Sequence, residues 1–158
     1  MSKNLYMKKI GERAKLASLH LSNVNIDRRN SVLKQFSKYL KTNVRSILNS
    51  NKKDISHAKS KKIEDSMIDR LKLNNKKIAQ IRNSIEKIIK FKDPLGKTLS
   101  SWKRPNGLII KRVSIPIGVI GVIYESRPNV TSDVSTLCFK TGNVVILRGG
   151  SEAFHSNK

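Results

Sequence analysis

The residue types that carry most protein chemistry are sparse in this chain, and their spacing excludes several mechanisms at once. Cys138 is the one cysteine, so neither an intramolecular disulfide framework nor a cysteine-cluster metal site can form. His20, His57 and His155 lie far apart and show no metal-ligand spacing. Cys138 sits between Leu137 and Phe139 on the apolar side of a helical stretch and reads as a small buried hydrophobe, not a nucleophile. What remains is two polar turns that follow apolar runs: Glu125-Ser126-Arg127-Pro128-Asn129 and Arg148-Gly149-Gly150-Ser151-Glu152. Where such turns join strand to helix in an open α/β sheet, free N–H groups at the sheet's carboxyl edge meet phosphates. Neither turn matches G-x-G-x-x-G or the P-loop, and Lys140-Thr141-Gly142 resembles a P-loop in composition only. The chemistry indicated is that of a nucleotide-binding α/β half. Asn129 suits a helix N-cap, and Gly149-Gly150 suits a turn needing positive φ. Pro128 fixes its own φ and biases Arg127 toward extended backbone.

The elements that must position these turns follow from patterning. After Lys97, Trp102 to Pro105 and Gly107 to Ile115 read as strands joined by a turn at Pro105-Asn106-Gly107. Pro116 interrupts, and the unbroken apolar run Ile117 to Tyr124 predicts a strand buried on both faces of a parallel sheet. Val130, Val134, Leu137 and Cys138 mark a helix that Gly142 ends. Val144 to Leu147 is a second short strand, and Gly149 to Glu152 opens another helix. The order β-α-β-α implies a right-handed parallel crossover.

Before Lys97 the pattern is helical. Apolar residues from Val32 to Leu48 recur at helical spacing and predict one helix over Arg28 to Leu48, capped by Asn25 or Asp27. A second spans Asn75 to Phe91, with Asn74 or Asn75 as cap and Asp93-Pro94 and Gly96 beyond its end. A weaker helix occupies Asn4 to Leu21. The stretch Asn51 to Asn74 offers short helices and turns at best.

The chain has 158 residues and a formal net charge of +22. Residues 98–158 hold eight basic against three acidic residues, a net of +5, which leaves +17 for the first 97. A basic nucleic-acid-binding module is one reading of that surplus. It lacks aromatic interleaving, an RNA-binding signature and a Cys/His finger, so lysines on solvated helix faces are the simpler account. The longest apolar run, Ile115 to Tyr124, is too short to span a bilayer, and the N-terminus lacks a signal-peptide core. The expected setting is a reducing cytoplasm, with no membrane partner.

Two longer motifs are more specific. Val113-Ser-Ile-Pro-Ile-Gly-Val-Ile-Gly-Val-Ile-Tyr-Glu-Ser-Arg-Pro-Asn-Val-Thr131 and Gly142-Asn-Val-Val-Ile-Leu-Arg-Gly-Gly-Ser-Glu-Ala-Phe-His-Ser-Asn157 closely resemble gamma-glutamyl phosphate reductase, of the aldehyde dehydrogenase superfamily. Met67-Ile-Asp-Arg-Leu71, Asp93-Pro-Leu-Gly96 and Trp102-Lys-Arg-Pro-Asn-Gly107 fit the same family. The resemblance implies an α/β fold: a helical N-terminal part, residues 1–97, then an incomplete Rossmann-like parallel β-α-β portion of an aldehyde dehydrogenase-type cofactor domain, residues 98–158. It implies NADPH-dependent reduction of gamma-glutamyl phosphate to glutamate semialdehyde in proline biosynthesis. In the family that reaction runs by thiolate attack on the acyl phosphate, loss of phosphate and hydride transfer to the thioester.

Family members are more than twice this long, so the chain is expected to be truncated, to lack the catalytic domain with its nucleophilic cysteine, to be inactive alone and to fold marginally. The resemblance carries Asn129 over as an oxyanion donor. Ser126, Arg127 and Pro128 would line the nicotinamide side of NADP(H). Arg148, Gly149, Gly150, Ser151 and Glu152 form the cofactor turn, with Arg148 suited to a 2′-phosphate. Implied partners are a separately encoded C-terminal half that restores activity, or further copies in a homo-oligomer.

Overall fold

The computed structural model describes residues 3–158, with side chains from Leu5 onward. Five helices come first: α1 (Lys3–Ser22), α2 (Ile26–Thr42), α3 (Val44–Ser60), α4 (Asp65–Leu71) and α5 (Asn75–Lys90). Then follow β1 (Thr98–Lys103), β2 (Ile109–Val113), β3 (Val119–Ile123), α6 (Pro128–Lys140) and β4 (Val144–Arg148). A 3₁₀ turn, Ser151–Ala153, leads into the short α7 (Phe154–Asn157).

Of the alternative caps, Asn25 and Asn74 are the ones that form. Asn25 accepts from the Arg28 N–H at 2.9 Å and Asn74 from the Lys77 N–H at 2.8 Å. The single helix expected over Arg28 to Leu48 is instead two, divided at Asn43. There Thr42 Oγ1 and Asn43 Nδ2 both donate to the Tyr39 carbonyl, at 3.1 and 2.9 Å, and so compete with the helix's own bonds. The 17-residue α3 then runs through Asn51 to Ser60, where only short pieces were expected. Its buried residues are Asn51, Asp54 and Ala58, a helical spacing made largely of polar side chains.

Two apolar clusters hold the helical part. Leu33, Ile85 and Ile88 join Phe36, Leu40, Ile81 and Phe139, so α2, α5 and α6 meet in one core. Ile85 is fully buried, which contributes about 1.5–3 kcal/mol. Ala58, Ile68, Leu71 and Ala153 form the second cluster, with Ile55 and Ile63 against it.

Buried polar groups join the helical part to the rest. The Arg29 guanidinium donates to the Val24 carbonyl at 3.1 Å, the Asp93 carboxylate at 2.6 Å and the Lys140 carbonyl at 2.5 Å. The Lys140 ammonium donates to Asn30 Oδ1 at 2.7 Å and the Ile89 carbonyl at 2.9 Å. Burial pushes this ammonium below the usual lysine range; Asp93 opposes that shift and Arg29 adds to it.

β1 and β2 form an antiparallel hairpin; β3 and β4 pair in parallel, Val119 with Val144 through Ile123 with Arg148. α6 makes the crossover between β3 and β4. It ends in a Schellman motif: Asn143 N–H donates to the Cys138 carbonyl at 2.8 Å and Gly142 N–H to that of Phe139 at 3.1 Å. Gly142 has φ +71°, and a Cβ there would lie 2.7 Å from Leu95 Cδ1. Asn143 Oδ1 then accepts the Gly118 N–H at 2.9 Å, which locks the start of β3 to the start of β4.

The expectation that Ile117 to Tyr124 is buried on both faces fails. Ile117 is 82% and Ile123 80% exposed, while Ile120 and Val122 are half-buried. β3 has a single partner strand among the described residues, and its outward face has no cover, so its burial alternates.

Candidate cofactor edge

The parallel pair sets two turns side by side. The Tyr124 N–H donates to the Arg148 carbonyl at 3.1 Å, which continues the β3–β4 ladder to the first residue after β3. From there Tyr124–Arg127 leads into α6, and Gly149–Gly150 leads into the 3₁₀ turn.

A carboxylate ties the turns together. Glu152 Oε1 accepts the Ser126 N–H and, at 3.2 Å, the Ser126 hydroxyl. Ser126 is 2% exposed with φ +47°, a left-handed backbone rare outside glycine. A second chain of bonds links Tyr124 Oη to Thr131 Oγ1 at 2.5 Å and Thr131 Oγ1 to Asn157 Oδ1 at 2.8 Å. Nothing in the apolar periodicity signals Tyr124, Thr131 or Asn157 as parts of this edge.

Arg127 is the residue before α6 and is exposed; its φ of −139° and ψ of 82° lie outside the helical region that Pro128 disfavours, though short of the fully extended backbone expected. Pro128 occupies the first helical position and is buried. Asn129 therefore lies one step inside the helix and is not its N-cap. Its Nδ2 donates along α6 to Asp133 Oδ2 at 3.1 Å.

Gly149 and Gly150 also differ from expectation, since neither has positive φ. Side chains close over both: a larger residue at either would require Asn157 or Glu152 to move. A Cβ on Gly149 would run into Asn157 and lie 3.2 Å from Tyr124 Oη, and one on Gly150 would run into the Glu152 carboxylate. Arg148 and Ser151 are exposed beside them. The edge therefore presents two arginines, Arg127 and Arg148, and one free serine, while Ser126 and Glu152 are engaged with each other. Among the described residues, no three His, Cys, Asp or Glu side chains come together to hold a metal ion. No described helix is long and apolar enough to cross a membrane.

Known proteins with this sequence and fold are consistent with one another. Gamma-glutamyl phosphate reductase of Caldicellulosiruptor saccharolyticus is 50% identical over 146 residues, 92% of this chain and 35% of the relative. That of Bacillus anthracis is 45% identical over 148 residues, 94% of this chain and 36% of the relative. The crystal structure of the Thermotoga maritima gamma-glutamyl phosphate reductase superposes with a TM-score of 0.90 at 40% identity, over 92% of this chain and 35% of that one. The chain corresponds to the N-terminal third of gamma-glutamyl phosphate reductase.

The Saccharomyces cerevisiae reductase agrees, with a TM-score of 0.91 at 32% identity, over 99% of this chain and 39% of its own. A Bacillus subtilis aldehyde dehydrogenase homologue, 16% identical with a TM-score of 0.72, shows that the fold is of aldehyde dehydrogenase type. No family model matches. The chain spans about a third of the length of the reductases it matches.

Cys138 is buried in α6, and desolvation pushes its thiol above the usual cysteine range. It is expected to react with a thiol reagent at pH 8 about tenfold or more slowly in the folded chain than in denaturant. Equal rates in the two conditions would show that the side chain is open to solvent.

Proposed function

We propose that this chain supplies the helical N-terminal part and the first parallel β-α-β portion of an NADP(H)-binding domain of gamma-glutamyl phosphate reductase type. By itself it does not turn over. The observation that carries the reading is the pair of exposed arginines, Arg127 and Arg148, that follow two parallel strands at one sheet edge. Guanidinium groups suit phosphate oxygens by bidentate donation. Arg148 would hold the 2′-phosphate with Ser151 beside it, and Arg127 would face the pyrophosphate or nicotinamide side. Glu152 and Ser126 act on the shape of the edge: each fixes the turn that carries the other.

Bound there, the cofactor supplies hydride. The chain's part is to orient it and to hold Asn129 at the start of α6, where its amide faces Asp133 and where an oxyanion donor would stand in the complete enzyme. Cys138, buried with its thiol protonated, does not serve as the attacking group. Nucleophilic attack is then the work of a second polypeptide segment, as is the reduction of gamma-glutamyl phosphate to glutamate semialdehyde. The cytoplasm is the proposed setting. The nucleic-acid reading of the basic helices is not favoured, because those helices align with the reductases along with the rest of the chain.

The test is a titration of the ¹⁵N-labelled chain with NADPH at about millimolar concentration, followed by amide shifts. Shifts are expected at Ser126, Arg127 and Arg148 to Ser151, and Arg148→Ala should abolish most of them. No NADPH oxidation is expected with acyl phosphate substrate. Shifts elsewhere, shifts indifferent to Arg148→Ala, or turnover by the chain alone would each overturn the proposal.

A further inference from the structure

Two side-chain links join the turn after β3 to the turn after β4. Glu152 and Ser126 make one of them. The other runs through Asn157, which belongs to α7 and lies outside both turns. Thr131 Oγ1 donates its one hydrogen to Asn157 Oδ1 at 2.8 Å, so Tyr124 Oη, 2.5 Å from the same oxygen, is its donor. That order fixes the Asn157 carboxamide: its oxygen faces Thr131 at the start of α6 and its Nδ2 faces Gly149. Both ends of this chain of bonds close on one residue. A Cβ added at Gly149 would run into Asn157 Nδ2 and would lie 3.3 Å from Asn157 Cγ and 3.2 Å from Tyr124 Oη. Gly149 directly follows Arg148, and Tyr124 and Thr131 stand on either side of Arg127 in the chain. Asn157 is itself anchored from α3, where Asp54 accepts the neighbouring Ser156 N–H at 2.6 Å.

We infer that Asn157 is a positioning residue of the cofactor edge: seated between Thr131 and Gly149, it sets the separation of Arg127 and Arg148. The inference rests on the function proposed above and adds the part that keeps the two arginines in register. A ligand with phosphates at two places gains from two guanidinium groups only when both can be met at once, because the second contact is then intramolecular. Backbone pairing does not secure that spacing. The β3–β4 ladder ends at the bond from the Tyr124 N–H to the Arg148 carbonyl, and beyond it the two turns have no backbone bonds to each other. Side chains carry the register from there, Glu152 at Ser126 and Asn157 at Gly149. A carboxamide suits the second place: its oxygen takes the Thr131 hydrogen while its nitrogen fills the space a Cβ would need.

The experiment titrates the intact ¹⁵N-labelled chain with NADPH and with adenosine 2′-phosphate and reads both dissociation constants from amide shifts. Adenosine 2′-phosphate engages the Arg148 side alone, so its affinity is indifferent to the spacing. Asn157→Ala and Thr131→Val should each weaken NADPH about tenfold and adenosine 2′-phosphate less than about twofold. Thr131→Ser keeps the hydroxyl and should bring NADPH back to within about twofold of the wild type. Gly149→Ala, which pushes Asn157 aside, should match Asn157→Ala, and the double variant should lose no more than either alone. Partial unfolding lowers both affinities by one factor, so their ratio separates positioning from stability. Equal losses for the two probes, wild-type NADPH affinity in Asn157→Ala, or Thr131→Ser behaving as Thr131→Val would each overturn the inference. If neither probe shifts the wild-type chain, the cofactor reading fails, and the Arg148 to Gly150 amides of unliganded Thr131→Val decide separately. Wild-type positions there overturn the positioning role, and displaced ones leave Asn157 as the brace of that turn.

Discussion

Arg29→Ala will destabilise the chain by about 3–5 kcal/mol, the range for breaking a buried ion pair from one side. Arg29 is 2% exposed and makes three bonds that no other side chain can replace, to Val24, Asp93 and Lys140. Alanine leaves the Lys140 carbonyl at the end of α6 without its donor and Asp93 without its cation. Asp93 also accepts the Leu95 N–H at 3.1 Å, so the turn from α5 toward the hairpin loosens with it. A domain of this size has roughly 5–15 kcal/mol of stability in all, and the reading of marginal folding places this chain at the low end. The variant is therefore expected to be largely unfolded at 37 °C. Arg29→Lys should recover only part of the loss, since an ammonium lacks the planar fork that reaches three acceptors. Urea denaturation followed by circular dichroism measures both. A loss below 1 kcal/mol for the alanine variant would show that the pair contributes nothing net to the fold.

Asp54→Ala is the second large effect, expected at about 1–3 kcal/mol because two part-buried backbone donors and a hydroxyl lose their charged acceptor. Asp54 is 2% exposed in the middle of α3, and its carboxylate accepts the His155 N–H at 2.9 Å and the Ser156 N–H and hydroxyl at 2.6 Å each. It caps α7 from another helix. Asn51, one turn earlier, donates to Ser156 Oγ at 3.0 Å and the Leu71 carbonyl at 2.8 Å while accepting the Leu73 N–H at 2.8 Å. Without Asp54 the segment Ser151–Asn157 is held to α3 by the Asn51–Ser156 bond and the Ala58–Ala153 contact, and the approach of Glu152 to Ser126 loosens. Amide exchange at His155 and Ser156 should rise well above that of α5, and the NADPH-induced shifts at Gly149 to Ser151 should weaken. Asp54→Asn keeps one acceptor oxygen and should lie between the two. Wild-type exchange at both amides in Asp54→Ala would rule out this capping role.

These two residues also mark where reading the sequence stopped. Apolar spacing locates α5, the hydrophobic half of α2 and the β3–α6–β4 unit, and cap preference narrows each N-cap to two residues, because each follows from interactions within about four residues. It gave one helix where Thr42 and Asn43 divide two, since that division depends on which carbonyls their side chains take. It missed the extent of α3, whose inward face is Asn51, Asp54 and Ala58. At the candidate edge Pro128 displaces Asn129 from the expected cap, and neither Gly149 nor Gly150 adopts the expected positive φ.

The sequence by itself determined the β3–α6–β4 order, the reductase-type motifs and the two turns that carry the arginines, because these are encoded in neighbouring residues. Only the tertiary structure decided which polar groups lie inside. Arg29 meets Lys140 across 111 positions and Asp54 meets Ser156 across 102. A charged residue in a helix reads as solvent-facing until a partner is brought to it. Burial without that partner costs several kcal/mol, so its place is set by packing between distant elements and not by its neighbours in the chain.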